Sequence, residues 1–366
     1  MIELSPKLNT LTPYIPGEQP KNLEEFIKLN TNENPYPPSK NVDNLLKTFE
    51  VDNLRLYPPP HLEDLREVIG SFYGVSGENV FVGNGSDEVL GFSFFAFFYG
   101  KKKKILIPEI SYSFYPVFAR LFDIEFEEIP LREDFSIDLD IFLEKSSICG
   151  GIVFANPNAP TSLGIDSKRL EAFLESLDPN IPVIVDEAYM DFYGDSIVNL
   201  VKRFKNLLVV RTFSKSFALA GIRFGFAIGD SFLIDSLFKV RDSFNSYTIN
   251  MLTYEIAKSV FEDIDYYNEI VSKIIKTRER VKNSLKEMGL EVFDSKTNFL
   301  FIRIDKEKFN IDAENVYLKL KENKILVRYF NSPEKIKDFI RVTIGKDEEM
   351  DIFLEKLGGI LGAFKG

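Results

Sequence analysis

The chain has little thiol and little imidazole: its 366 residues include one cysteine, Cys149, and one histidine, His61. A single cysteine excludes a disulfide framework and a thiolate metal site. Following Ser146-Ser147-Ile148, Cys149 reads as a small buried hydrophobe. A single histidine excludes His-cluster metal centres and leaves a Ser-His-Asp triad without support, so no metal is expected and His61 is expected to do no chemistry. Excess basic charge is missing as well. Lys and Arg number 45 against 56 Asp and Glu, a net charge of −11, which argues against a nucleic-acid binder and against a basic membrane-surface protein. The run Lys101 to Lys104 reads as solvated charge after a helix C-terminus. Long apolar runs are absent: the longest, Val89 to Tyr99, is too short to cross a bilayer, and the N-terminus lacks a signal-peptide pattern. A cytoplasmic protein with neither nucleic-acid nor membrane partners is expected. No repeat or low-complexity tract appears.

What is present points to an α/β chain long enough for a large and a small domain. The apolar run Leu207 to Val210 stops at a polar cluster containing Thr212, Ser214 and Lys215, with Arg223 eight positions after the lysine. A lysine among small and aromatic residues loses hydration and becomes available for imine chemistry. Thr212, Ser214 and Arg223 are residue types that hold a phosphate. Upstream, Ile181 to Val185 ends in Asp186, with Tyr189 three residues on. In open α/β sheets ligands bind beyond the carboxyl ends of strands, so Asp186, Tyr189 and Lys215 are expected to converge in one crevice. Amine, acid and phenol together suit pyridoxal 5′-phosphate (PLP). The lysine joins the aldehyde, the carboxylate keeps the ring nitrogen protonated and the phenol bonds the ring oxygen.

The segments Asp186-Glu187-Ala188-Tyr189 and Ser214-Lys215-Ser216-Phe217-Ala218-Leu219-Ala220-Gly221-Ile222-Arg223 resemble those of the fold-type I aminotransferases, most closely the histidinol-phosphate aminotransferases. The resemblance implies an aspartate aminotransferase-like fold, with a large PLP-binding domain whose mostly parallel sheet is flanked by helices, and a smaller α+β domain. The expected divisions are an arm over 1–40, the large domain over 41–255, a connecting helix over 256–289 and the small domain over 290–366.

Further residues enter through the same resemblance. Thr12-Pro13-Tyr14 lies in an arm that in this family reaches the substrate, and Tyr57, before Pro58, matches a tyrosine that crosses a homodimer interface to the neighbour's cofactor phosphate. Gly83-Asn84-Gly85-Ser86-Asp87 offers N–H groups to an anion at a helix start, although an ordinary N-cap explains it equally well; in the family this turn cradles the cofactor phosphate. Tyr112 matches an aromatic that stacks on the pyridine ring. Ala155-Asn156-Pro157-Asn158-Ala159-Pro160-Thr161-Ser162 departs from the family's Asn-Pro-Thr-Gly pattern, because Ala159 stands where the ring-bonding asparagine belongs. That leaves Asn158, one residue earlier, as the candidate for the bond, with Asn156 as the other choice.

The remaining chain predicts helices over 232–245 and 250–288, strands over 299–304, 325–328 and 339–344, and helices near 312–323 and 347–361. Arg328 ends one of these strands and Arg341 lies inside another. Arginines in apolar strands call for an anionic partner unless they face water from a sheet edge. By resemblance both grip the substrate's anionic end, here a phosphate. The implied reaction is transamination of L-histidinol phosphate with 2-oxoglutarate. The rival readings are an aromatic amino-acid aminotransferase and a threonine-phosphate decarboxylase. A cofactor-binding regulator is a further rival, against which the chain reads as having no DNA-binding extension.

Overall fold

Short apolar runs bounded by Gly, Pro and Asp become strands, and the computed structural model describes them within residues 2–364. In chain order they are β1 (Ile27–Lys28), β2 (Val80–Gly83), β3 (Ile105–Pro108), β4 (Phe126–Ile129), β5 (Gly151–Ala155), β6 (Val183–Asp186) and β7 (Leu207–Thr212), followed by β8 (Gly225–Gly229), β9 (Glu291–Val292), β10 (Phe299–Arg303), β11 (Ile325–Leu326), β12 (Arg328–Tyr329) and β13 (Phe339–Thr343). Seven of them form one sheet in the order β2-β8-β7-β6-β5-β3-β4, in which only β8 runs against its neighbours. Strands β5, β6 and β7 are buried along their whole length, as expected for parallel strands covered on both faces. The result is the expected α/β architecture, a mostly parallel sheet flanked by helices. Apolar clusters fill both faces of this sheet, and another fills the space behind an antiparallel sheet ordered β12-β13-β10-β9. No described helix is long and apolar enough to cross a membrane.

Two segments differ from the sequence expectation. The helix expected over 250–288 is two helices, Met251–Val260 and Ile264–Glu287, separated by a turn at Phe261–Asp263. The turn lays Phe261 against Phe72, Phe213 and Phe217, with ring centroids 5.0, 5.7 and 6.3 Å away. Apolar periodicity is continuous across such a bend and does not reveal it. The strand expected over 325–328 divides between two sheets: Ile325 and Leu326 pair in parallel with Ile27 and Lys28, and Arg328 and Tyr329 pair with Arg341 and Ile340. The end of the N-terminal arm is therefore built into the fold. Leu29, Asn30 and Asn32 are buried, whereas most of the first 26 residues are exposed.

Candidate active site

The carboxyl ends of β2, β3, β5, β6 and β7 open into a cavity of about 360 Å³. The residues lining it include Lys215, Asp186, Tyr189, Ser86, Asp87, Tyr112, Thr212, Ser214 and Arg223, which the sequence placed far apart. Lys215 follows β7 by three residues, and its Nζ lies 3.4 Å from the Thr31 carbonyl and 5.7 Å from the centre of the Tyr189 ring. Asp186 ends β6, is 4 % exposed, and has no cationic partner among the described residues. Burial pushes its carboxyl up to about 6, while the Tyr115 hydroxyl (3.0 Å) and the Ala188 N–H (3.1 Å) donate to it and oppose that rise. A buried carboxylate kept beside a cavity without a cation is suited to a cationic ligand atom.

The opposite wall suits an anion. The helix Ser86–Phe98 starts at the cavity, whose lining includes its first residues Ser86 and Asp87 together with Ser214 and Arg223, and a helix start offers free N–H groups to an anion. Two glycines permit this approach. A Cβ on Gly225 would lie 2.3 Å from the Ser86 nitrogen, and one on Gly85, at φ +86°, would lie 2.6 Å from the Arg223 guanidinium. Thr212 Oγ1 donates to Ser214 Oγ (3.0 Å) and accepts from the Ser214 N–H (3.1 Å), setting that hydroxyl. Asp87 accepts from Tyr112 (2.6 Å) and Arg223 (3.4 Å), so its carboxylate orients those two, and what it can offer an anion is its backbone N–H.

Asn158 does not meet its expectation. Its Nδ2 donates to the Ile110 carbonyl (2.9 Å) and Thr161 Oγ1 (3.0 Å), and its Oδ1 accepts from Ser111 (2.7 Å). Asn156 is equally committed, to both backbone polar groups of Ile165. Both asparagines brace the loop after β5, and the wall they were expected to serve is formed by Ala155 and Ala159.

Arg328 and Arg341 sit opposite each other in register on β12 and β13. Neither has a carboxylate partner among the described residues. Arg341 donates to the Asn30 carbonyl (2.8 Å) but its buried Nε has no partner, and Arg328 touches the Ile15 carbonyl at 3.4 Å. Burial lowers the pKa of Arg341, and the neighbouring Arg328 adds to this, as expected of a charge waiting for an anion. Tyr14 from the arm packs on Phe114 (4.7 Å), which packs on Tyr112 (5.6 Å), bringing the arm to the site's edge. Tyr57 is 78 % exposed, stacked on Tyr247, and does not line this cavity.

The sequence reading missed Tyr115, Thr31, Asn32 and Glu33. Tyr115 lies three residues beyond Tyr112, in the first turn of the helix Phe114–Leu121 that follows it, and its nearness in sequence to a candidate site tyrosine is the signal that could have exposed it. The Thr-Asn-Glu run looks like any polar loop, and nothing in it signals burial. Beneath the site, Arg211 is buried with Glu187 (3.0 Å), Asp191 and Tyr73 (3.2 Å), and Asp191 in turn accepts from Ser216, next to Lys215. Burial works against the guanidinium's charge, but Asp191, Tyr73 and Glu187 more than offset it and its pKa is raised. Arg211→Met strands two acids, one of them fully buried, and is expected to lower unfolding free energy by about 3–5 kcal/mol in urea titration. A loss under about 1 kcal/mol would mean the acids find other partners.

The family description "Aminotransferase class I and II" matches residues 24–357. The chain is 50% identical over 359 residues to a histidinol-phosphate aminotransferase of Brachyspira hyodysenteriae, covering 98% of each chain. It is 48% identical over 356 residues to one from Syntrophus aciditrophicus, covering 97% of each. Among solved structures, the histidinol-phosphate aminotransferase of Clostridium acetobutylicum superposes with a TM-score of 0.84 at 26% identity, over 92% of this chain and 99% of that one. The Sinorhizobium meliloti enzyme in complex with pyridoxal-5′-phosphate gives 0.87 at 21% identity, over 99% of this chain and 98% of that one, a likeness of fold. Matched nearly end to end by relatives that share half its residues, the chain belongs to the class I and II aminotransferases and, within them, to the histidinol-phosphate aminotransferase family.

Proposed function

We propose that this protein is a PLP-dependent transaminase that exchanges the amino group of L-histidinol phosphate with 2-oxoglutarate, giving imidazole acetol phosphate and glutamate in histidine biosynthesis. The observation that carries the reading is one cavity holding an amine, an unpaired buried acid and a phenol, with Arg341, which interacts electrostatically with that phenol, and its neighbour Arg328 outside the lining and without acidic partners. The residues fit the cofactor: Asp186 can balance a ring cation, and the helix start at Ser86 with Gly85 forms a cradle that any larger side chain would fill. When bound, PLP supplies an aldehyde that links to amines and a protonated ring that accepts electrons released at the substrate carbon.

The chain's own residues then divide the work. Lys215 would hold the cofactor and, once displaced by the substrate amine, would take the proton from the substrate carbon and deliver it to the carbon that was the cofactor's aldehyde. Asp186, oriented by Tyr115, would keep the ring nitrogen protonated. Ser86, Ser214, Thr212, Arg223 and the Asp87 N–H would receive the cofactor phosphate, Tyr112 would flank the ring and Tyr189 would bond its oxygen. Arg328 and Arg341 would hold the substrate phosphate, with Tyr14 closing over it. We further propose that the chain works in the cytoplasm as a homodimer. Exposed Val51, Leu54, Leu56 and Tyr57 form an apolar strip from which Tyr57 would reach the neighbour's site. Sedimentation giving a monomer mass would remove that part.

The fold alone does not choose the substrate. An aromatic aminotransferase of Pyrococcus horikoshii and a threonine-phosphate decarboxylase of Porphyromonas gingivalis superpose with TM-scores of 0.80 and 0.78. The test supplies histidinol phosphate, phenylalanine or threonine phosphate with 2-oxoglutarate and follows glutamate and carbon dioxide. Glutamate formed from histidinol phosphate is expected; carbon dioxide without glutamate would end the reading. Arg341→Ala is expected to lower kcat/KM for histidinol phosphate by about 10²-fold, mainly through KM, while cofactor affinity stays within a few-fold. Equal loss of both affinities would make Arg341 a support of the fold.

A further inference from the structure

We infer that Asn32 is a positioning residue that fixes which way the Tyr189 hydroxyl donates, sending its proton into the cavity where the ring oxygen of PLP would accept it. The inference rests on the transaminase reading and concerns a residue that reading does not use.

The direction follows from counting protons. The Asn32 N–H donates to Thr343 Oγ1 (3.0 Å), which leaves the single Thr343 hydroxyl proton to donate to Asn32 Oδ1 (3.1 Å). With its oxygen so engaged, the Asn32 amide turns its NH₂ to Tyr189 Oη, 2.8 Å away. An amide NH₂ can only donate, so Tyr189 accepts there and must place its own proton elsewhere. The charged groups beside it cannot take it. Lys215 stands over its ring and Arg341 interacts with it electrostatically, and both are donors. Phe299 covers it edge-on at 5.2 Å, and no hydrogen bond joins it to Tyr115, whose hydroxyl is turned to Asp186. The remaining direction is the cavity, which Tyr189 lines.

Asn32 is held firmly enough to enforce this. It is 2 % exposed, its carbonyl accepts from Asn298 Nδ2 (3.1 Å), and its φ of +56° is one that asparagine tolerates better than most residues. Its partner Thr343 ends β13 of the sheet that carries Arg341 and its partner Asn298 immediately precedes β10 of the same sheet, whereas Tyr189 follows β6 of the large sheet. One side chain thus sets a hydroxyl on one sheet from anchors on the other. Accepting a hydrogen bond also makes a hydroxyl a stronger donor.

The experiment follows the visible absorbance of the holoenzyme against pH, without substrate, in wild type, Y189F, N32A and the double variant. A proton donated to the ring oxygen draws off negative charge that would otherwise retain the proton of the cofactor–lysine link, so losing the donor raises the midpoint. Y189F is expected to raise it by about one pH unit and N32A by about half as much, with N32A adding nothing once the hydroxyl is gone. An N32A shift of equal size in both backgrounds, or no N32A shift where Y189F gives one, overturns the inference and leaves the transaminase reading standing. A wild-type protein without a visible band overturns both. Should N32A fail to fold, Thr343→Val frees the amide to rotate while keeping the side chain's shape. It is expected to shift the midpoint in the same direction by a smaller amount, and an unmoved midpoint overturns the inference.

Discussion

Lys215→Ala is expected to lower kcat by at least about 10³-fold and to abolish the visible absorbance that a covalently held cofactor gives the purified protein. Among the described residues no other lysine lines the cavity, so none of them can assume the linkage. The substitution should leave the fold intact, because Lys215 contributes only a 3.4 Å contact to the Thr31 carbonyl and a 5.7 Å approach to the Tyr189 ring, while the loop around it is held by other groups. The Asn34 amide donates to the carbonyls of Lys215 and Ser216 at 3.0 and 3.2 Å, and Asp191 accepts from the Ser216 hydroxyl at 2.5 Å. Near-normal turnover or an unchanged absorbance band would refute the role given to Lys215, provided circular dichroism and melting temperature match the wild type.

Asp186→Asn is expected to produce opposite effects on activity and on stability. Turnover should fall by about 10³-fold, since an amide cannot stabilise a ring cation. The cofactor-free protein should become more stable at neutral pH. In the folded chain the carboxyl titrates near 6 rather than 3.8. The neutral acid is therefore favoured by folding, and that advantage is complete below about pH 4 and lost as pH rises through 6. Above that pH the ionised carboxylate costs about 3 kcal/mol in the folded state, an upper figure that the asparagine escapes. The variant without cofactor should thus melt higher than wild type at pH 8 and close to it at pH 4. Equal melting temperatures at both pH values would show that Asp186 is already compensated by a group other than the cofactor.

Much of the site was legible because its chemistry stands where apolar runs stop. Strands β5, β6 and β7 are buried on both faces and leave unmistakable sequence blocks, so the residues that end them (Asp186, Thr212) or lie just beyond them (Ser214, Lys215) are legible without any contact. The arginines on β12 and β13 were legible for the complementary reason, as charge inside apolar strands. The asparagines were not. Asn32 and Asn158 are both buried polar residues in loops, yet one faces a site tyrosine and the other is consumed within its own loop, and composition cannot separate them. The bend at Phe261 and the division of the strand after Leu326 were hidden because apolar pattern reports burial and not the partner against which a residue is buried.

The built-in end of the arm has a consequence for dissecting this protein. Residues 27–34 bond to β11, Thr343 and Asn298 on one side and to Tyr189 and the backbone at Lys215 on the other. A shortened gene starting after this segment would encode both sheets but sever the clasp between them, and a soluble, well-folded product lacking turnover is the outcome to anticipate. Trimming before residue 27 removes mostly solvent-facing chain and should spare the fold, but it takes Tyr14 with it and so should weaken substrate binding; the hinge pin itself begins near Ile27.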